Sequence, residues 1–342
     1  MTARAMWLHV VLCVLALGLA WRAAHQEKEK KGGPSSVVLL DAEKGAVADL
    51  TYEWPKGKSV VSVSASRAIV VDVDRELPDP KKDAKKDAKK DEKKDDEEGA
   101  EAAPDAIALP PAREAARFPG GKSVLTAIEA LEPLKTKRTL GVVDAAQLAP
   151  MGLAPPERTL TIKTAKKTLV LELGEASYGA QGRYARVQGE SIVHLIDTAI
   201  VTGLEGGADT LLEKRLITTE LEDITGFSVK AGDKQLAYAH QNRDQPTTRF
   251  FAKRDDLQGK DEPAGKLMTT LRNLRGQGLF DSAKNEGVLA DVVVAVVVDT
   301  EGDPVRVDVV ARNDGDACVA KVGAWAYELT ATQCKELRDD LE

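Results

Sequence analysis

The chain opens on an apolar run and then switches to short alternating stretches. Residues Ala5 to Trp21 read AMWLHVVLCVLALGLAW, broken only by His9 and flanked by Arg4 and Arg22. A membrane span needs roughly 17–25 apolar residues, so this run sits at the short end. Trp7 and Trp21 near its ends suit the headgroup region, where an indole is half buried and half wet. A cleaved signal peptide would use Gly18-Leu19-Ala20, but Trp21 and Arg22 follow at once, which favours an uncleaved anchor. Cys13 lies mid-run, away from where a lipidated cysteine would sit. The charged stretch Glu27 to Lys31 and Gly32-Gly33-Pro34 reads as a tether. The expectation is an anchor over residues 1–24 and a tether over 25–36.

Beyond the tether, one unit is written twice. Period-two alternation predicts strands at Ala48 to Trp54, Ser59 to Ala65 and Ala68 to Asp74. The same opening returns at Ile224 to Ala231, Gln235 to Gln241 and Thr248 to Ala252. A helix follows each set: Lys122 to Leu134, with Val124, Leu125, Ile128 and Leu131 on one face, and Lys266 to Leu274, with Leu267, Met268, Leu271 and Leu274. Gly-Lys precedes both, at Gly121-Lys122 and Gly265-Lys266. Four strands come next in each unit. They are Thr159 to Thr164, Thr168 to Leu173, Tyr184 to Val187 and Ile192 to Ile196, then Asp291 to Val298, Val305 to Ala311, Val319 to Val322 and Trp325 to Leu329. Asp197 and Thr330 are suited to cap a closing helix in each. The fold class expected is α+β: an N-terminal transmembrane helix, then two related halves of mainly antiparallel strands with packed helices. The halves are placed at 37–216 and 217–342.

From Lys81 the chain repeats KKDA, KKDA, KKDE, KKDD and runs on through Ala- and Pro-rich sequence to Pro111. Such a segment buries no apolar surface, and its signs nearly cancel. It is read as a solvated low-complexity insertion at about 78–112. The whole chain of 342 residues carries a net charge of −7, which leaves no basic surplus for nucleic acid. Aromatics at 4% rule against extensive stacking platforms for bases or sugars.

Candidate chemistry is sparse. Gly120-Gly121-Lys122-Ser123 resembles the end of a phosphate-binding loop, yet Ala116 stands where an earlier glycine is needed, and Pro-rich sequence precedes it rather than a buried strand. Its partial recurrence at Gly265-Lys266 points to a helix start, so no nucleotide is expected. Gly179, Gly182 and Gly189 flank a strand and read as hairpin turns rather than a dinucleotide loop. His194 and His240 fall in strands without a nucleophile elbow or a zinc-protease helix nearby. Glu222-Asp223 and Asp255-Asp256 are adjacent, and on a strand such neighbours point to opposite faces. No catalytic residue, cofactor or metal is assigned. Cys318 and Cys334 form a candidate disulfide if the last helix folds back over its own sheet, and two free thiols are the alternative.

The stretch from Met151 to Leu216 carries a resemblance. Met151 to Pro156 (MGLAPP), Leu173-Gly174-Glu175, Gly182 to Val187 (GRYARV), Ile192 to Ile196 and Leu211 to Leu216 (LLEKRL) resemble the bacterial domain-of-unknown-function family DUF 4340. The resemblance implies an N-terminal membrane helix and a duplicated α+β region. It also implies companionship with an ABC-type export system of the gliding-motility kind, through a permease or auxiliary subunit. It carries over no catalytic residue. The Lys/Asp insertion and a second half without the Gly-Leu-x-x-Pro turn depart from the pattern. The expected function is that of a non-enzymatic accessory protein, anchored in the bacterial inner membrane with its body in the periplasm and acting through protein contacts. A binding module for an envelope glycan or lipid is the alternative, and a hydrolase with a site assembled from distant residues the next.

Overall fold

The computed structural model describes residues 36–77, 112–178, 182–281, 285, 288–313 and 316–340. The N-terminal apolar run, the tether up to residue 35 and nearly all of the Lys/Asp insertion lie outside the described residues. Among those described, no helix is long and apolar enough to cross a membrane.

The protein is strand-rich α+β, and its strand pairs are antiparallel. In chain order the first strands are β1 (Val38–Leu40), β2 (Val47–Trp54), β3 (Gly57–Val63), β4 (Ile69–Glu76) and β5 (Arg113–Pro119), followed by helix α1 (Lys122–Glu129). Next come β6 (Leu134–Lys135), β7 (Arg138–Val142), α2 (Ala145–Leu148), β8 (Arg158–Thr164), β9 (Thr168–Ala176), β10 (Gly182–Val187) and β11 (Ile192–Asp197). Short helices α3 (Ala199–Thr202) and α4 (Ala208–Leu211) lead to β12 (Ile224–Ala231), β13 (Lys234–Gln241), β14 (Phe250–Lys253) and α5 (Glu262–Asn273). The chain ends with β15 (Leu289–Thr300), β16 (Val305–Arg312), β17 (Cys318–Val322), β18 (Trp325–Leu329) and α6 (Ala331–Asp339).

Two compact units divide the described residues. The first takes those up to Val47, Glu53–Pro55 and those within Glu129–Ile200; the second takes Ala48–Tyr52 and the described residues of Lys56–Ile128 and of the chain from Val201 onward. In the first unit the strands run in the order β8-β9-β10-β11-β7, and β1 pairs with β6. In the second, one set runs β5-β4-β3-β2 and a seven-stranded sheet runs β14-β13-β12-β15-β16-β17-β18. Alternation sets the buried faces. Val294, Val296 and Val298 of β15 are buried with Val307 and Val309 of β16, and Leu160, Ile162, Leu171 and Leu173 form the corresponding layer of the first unit. Hairpins turn where glycine supplies a positive φ: Gly232 (+57°) between β12 and β13, and Gly323 (+58°) between β17 and β18.

The strand expectations hold to within a few residues, and the helices need correction. The first helix stops at Glu129 instead of reaching Leu134. Pro133 cannot continue it, and Glu132 turns away to accept the N–H groups of Gly45 (2.6 Å) and Val47 (2.7 Å). Its buried face is Val124, Ala127 and Ile128; Leu125 is 40% exposed. The second helix starts at Glu262, four positions before the expected Lys266. Asp261 caps it by accepting from the N–H of Ala264 (2.8 Å), and Pro263 fits its first turn. Gly265 is therefore inside a helix and does not begin one. The sequence before Gly120 is strand β5, paired with β4 from Val70↔Pro119 to Glu76↔Arg113. Leu77 donates to the carbonyl of Ala112 (2.7 Å), so the low-complexity insertion leaves and re-enters the chain across the open end of that hairpin.

Candidate functional site

A cavity of about 430 Å³ lies in the second unit between β14, helix α5 and the loop that follows β13. The loop is fixed at its first residue. Asn242 takes φ +53°, a conformation asparagine tolerates better than most side chains, and its amide donates to the carbonyl of Thr248 (3.3 Å). Asp261, the helix cap, donates its own N–H to the carbonyl of Phe251 (2.8 Å), which ties the start of α5 to β14. Met268 projects from the buried side of α5, and Phe250 and Phe251 from β14 complete an apolar lining with Leu221 and Pro246.

His240 forms part of this wall. It faces Phe251 across the β13–β14 pair and stacks on its ring, with centroids 4.4 Å apart and planes 17° off parallel. The residue is 7% exposed, and its Nδ1 lies 2.9 Å from the carbonyl of Ile224. A carbonyl only accepts, so Nδ1 carries the proton and Nε2 is left as an acceptor. Burial pushes its pKa down; the Ile224 carbonyl opposes this, and the positive charges of Arg249 and Arg243 add to the lowering.

Arg249, Lys260 and Arg272 also line the cavity. Arg249 donates to Glu222 (2.5 Å) and Arg272 to Glu220 (3.4 Å), neither of which lines the cavity. Lys260 pairs with Glu262 (3.3 Å). The hydrogen bond from Arg249 holds the Glu222 carboxyl below the usual carboxylate range. Each guanidinium has more N–H donors than its single bond uses. The arrangement can take up an apolar group against Phe250 and Met268, and meet a polar end with guanidinium donors and one imidazole acceptor.

The other residues singled out from the sequence resolve into structure. Gly120-Gly121-Lys122-Ser123 does follow a strand, but the N–H of Gly121 is spent on the carbonyl of Leu211 (2.7 Å), and Ser123 donates to the carbonyl of Thr210 (2.7 Å). A Cβ on Gly121 would meet the carbonyl oxygen of Leu212 at 2.9 Å, so the glycine permits close packing of two chain segments. Gly189 turns β10 into β11 at φ +83°, Gly182 begins β10, and Gly179 lies outside the described residues. His194, 4% exposed in the first unit, is 3.1 Å from the hydroxyl of Thr139; burial lowers its pKa against the opposing charge of Glu190. Glu222-Asp223 ends a 3₁₀ turn and Asp255-Asp256 sits in a turn after β14, so the strand-face reading of both pairs is corrected. Among the described residues no group of three or more His, Cys, Asp or Glu is placed to hold a metal.

Cys318 and Cys334 are joined by a disulfide, with Cα atoms 6.0 Å apart. It ties α6 to β17, and both residues are 2% exposed. The motif residues of the first unit also converge. The carbonyl of Met151 accepts from the N–H of Glu175 (2.8 Å), Arg186 pairs with Glu172 (2.5 Å), and Arg183 donates to the carbonyl of Gly174 (2.7 Å). A side chain at Gly174 would collide with the Met151 carbonyl oxygen. These motifs hold a turn against a strand.

The cavity itself was not legible in the sequence, because its walls come from three segments with no fixed spacing. Two signals were available: His240 falls in a strand, and Phe250 and Phe251 are neighbours on another, so only one of the two can face the core. No curated protein and no solved structure matches the chain. Residues 121–289 match the model of the family described as Domain of unknown function (DUF4340), which bears out the resemblance over that span.

Proposed function

We propose that this chain is a non-enzymatic accessory protein of an ABC-type export system. In this reading residues 1–24 anchor it in the bacterial inner membrane, residues 25–36 are the tether, and the body works in the periplasm through contacts with a permease or auxiliary subunit. The observation that carries the compartment is the buried Cys318–Cys334 disulfide, a bond that persists outside the reducing cytoplasm. The apolar run from Ala5 to Trp21 supports the anchor. His194 is engaged by the hydroxyl of Thr139, which favours a structural role for it.

The body is read as one unit duplicated, over 37–216 and 217–342. The strand orders support this. β4-β3-β2 and β8-β9-β10-β11 follow the same sequential course as β14-β13-β12 and β15-β16-β17-β18, and a helix separates the two groups each time. Affinity purification of the full chain from membranes in mild detergent tests the function. Co-recovery of an ABC-type permease or auxiliary subunit is expected, and recovery of the chain without any transporter component contradicts the proposal.

A second reading is favoured by the cavity beside His240: a binding module for an envelope ligand. Its volume of about 430 Å³ falls in the range of small-molecule sites, and it joins an apolar lining to a few convergent polar groups. Aromatics are few, so a lipid-like ligand fits better than a glycan.

A further inference from the structure

We propose that the cavity between β14 and α5 binds an amphiphilic anion, an apolar chain or ring that ends in a carboxylate or phosphate. The inference rests on the ligand-binding reading above and gives it a ligand class. Three features of the cavity support it. Phe250 is partly exposed at the wall, and together with Met268 and Phe251 it offers an apolar surface to an incoming group. Arg249 and Arg272 line the cavity, each in a one-bond pair with a carboxylate outside the lining, so guanidinium donors are left for a second oxyanion. The Arg272–Glu220 pair is long at 3.4 Å and Glu220 is 67% exposed, so a ligand oxyanion displaces that carboxylate into water at little cost.

His240 adds direction. The residue is largely buried, one ring nitrogen is fixed on the Ile224 carbonyl, and the other has no hydrogen-bond partner among the described residues. That nitrogen accepts a hydrogen bond from a hydroxyl or N–H on the ligand. It does not repel an anion as a carboxylate would. The acidic residues of the lining do not compete for the guanidinium groups. Asp261 accepts from the N–H of Ala264, and Glu262 holds Lys260. The same chemistry belongs to a membrane lipid with an anionic headgroup and to a free small acid.

The test uses the full chain in phosphatidylcholine nanodiscs, titrated calorimetrically with hexyl phosphate, hexanol and inorganic phosphate. Hexyl phosphate is expected to bind saturably and more tightly than either of the others. Arg272→Gln and Arg249→Gln are each expected to weaken it about ten-fold, the effect of losing one charge-assisted hydrogen bond. Phe250→Ser, at a partly exposed position, gives a second variant should either arginine change disturb folding, and it too should weaken binding. Repeating the titration in discs doped with phosphatidic acid assigns the source. Competition identifies a membrane lipid, and unchanged binding identifies a free acid. Hexanol binding as tightly as hexyl phosphate, or folded arginine variants that bind it unchanged, would overturn the anion assignment and leave the ligand-binding reading standing. Failure of every probe to bind overturns both.

Discussion

Cys318 and Cys334 are separated by 16 positions, and closing a loop of that size removes entropy from the unfolded chain. Replacing both with alanine should cost about 3 kcal/mol of stability. Denaturant unfolding with and without reductant measures it, and an unchanged midpoint contradicts it. Gly174 is a second such residue. Its missing side chain lets the Met151 carbonyl approach, so Gly174→Ala should destabilise by about 3 kcal/mol through overpacking against backbone. A melting temperature equal to that of the parent would count against this packing. The two buried histidines set a pH dependence. Burial lowers the pKa of His194 and His240 below the ordinary 6.5, so the unfolded chain takes up protons first as pH falls. Their contribution is complete above about pH 6.5 and is lost as pH falls from there through the depressed folded values. Thermal unfolding followed from about pH 8 down to about pH 5 should show this decline, and the double variant His194→Gln/His240→Gln should flatten it. An equal slope in the double variant would assign the decline to other groups.

Strands were the most legible elements, because period-two alternation records burial residue by residue. The ITGFSVKA stretch, Ile224–Ala231, reads as one strand in the sequence and is one in the structure. Helix ends were less legible because they depend on hydrogen bonds outside the apolar pattern. Glu132 leaves the first helix to hold the N–H groups of Gly45 and Val47, residues far away in the chain. Asp261 starts the second helix ahead of its first periodic leucine, and Pro263, which looks like a breaker, is at home in a first turn. Strand β5 was missed because it is an edge with one fully buried residue, Phe118, next to Pro-rich sequence. At this scale Asp261→Ala should cost about 1 kcal/mol, as the loss of an N-cap does. It should also loosen the β14–α5 corner that frames the cavity. Amide exchange at Ala264 reports the cap directly, and undiminished protection there would show that the cap contributes little.

For the whole molecule, the composition and the apolar N-terminal run bounded the class of protein, while the cavity depended on tertiary structure. The cavity is assembled from residues spread over 221–273, and the sequence singles out His240, the Phe250-Phe251 strand and Met268 without showing that they meet. The disulfide was readable as a candidate but not as a bond, because its distance depends on how α6 returns to β17. The proposed function requires a membrane-held chain with its body outside the cytoplasm. Protease treatment of right-side-out spheroplasts carrying the full chain tests it most directly. The intact chain is expected to sediment with membranes, and its body to be digested without lysis. A body protected until the spheroplasts are broken, or a chain left in the soluble fraction, would contradict it.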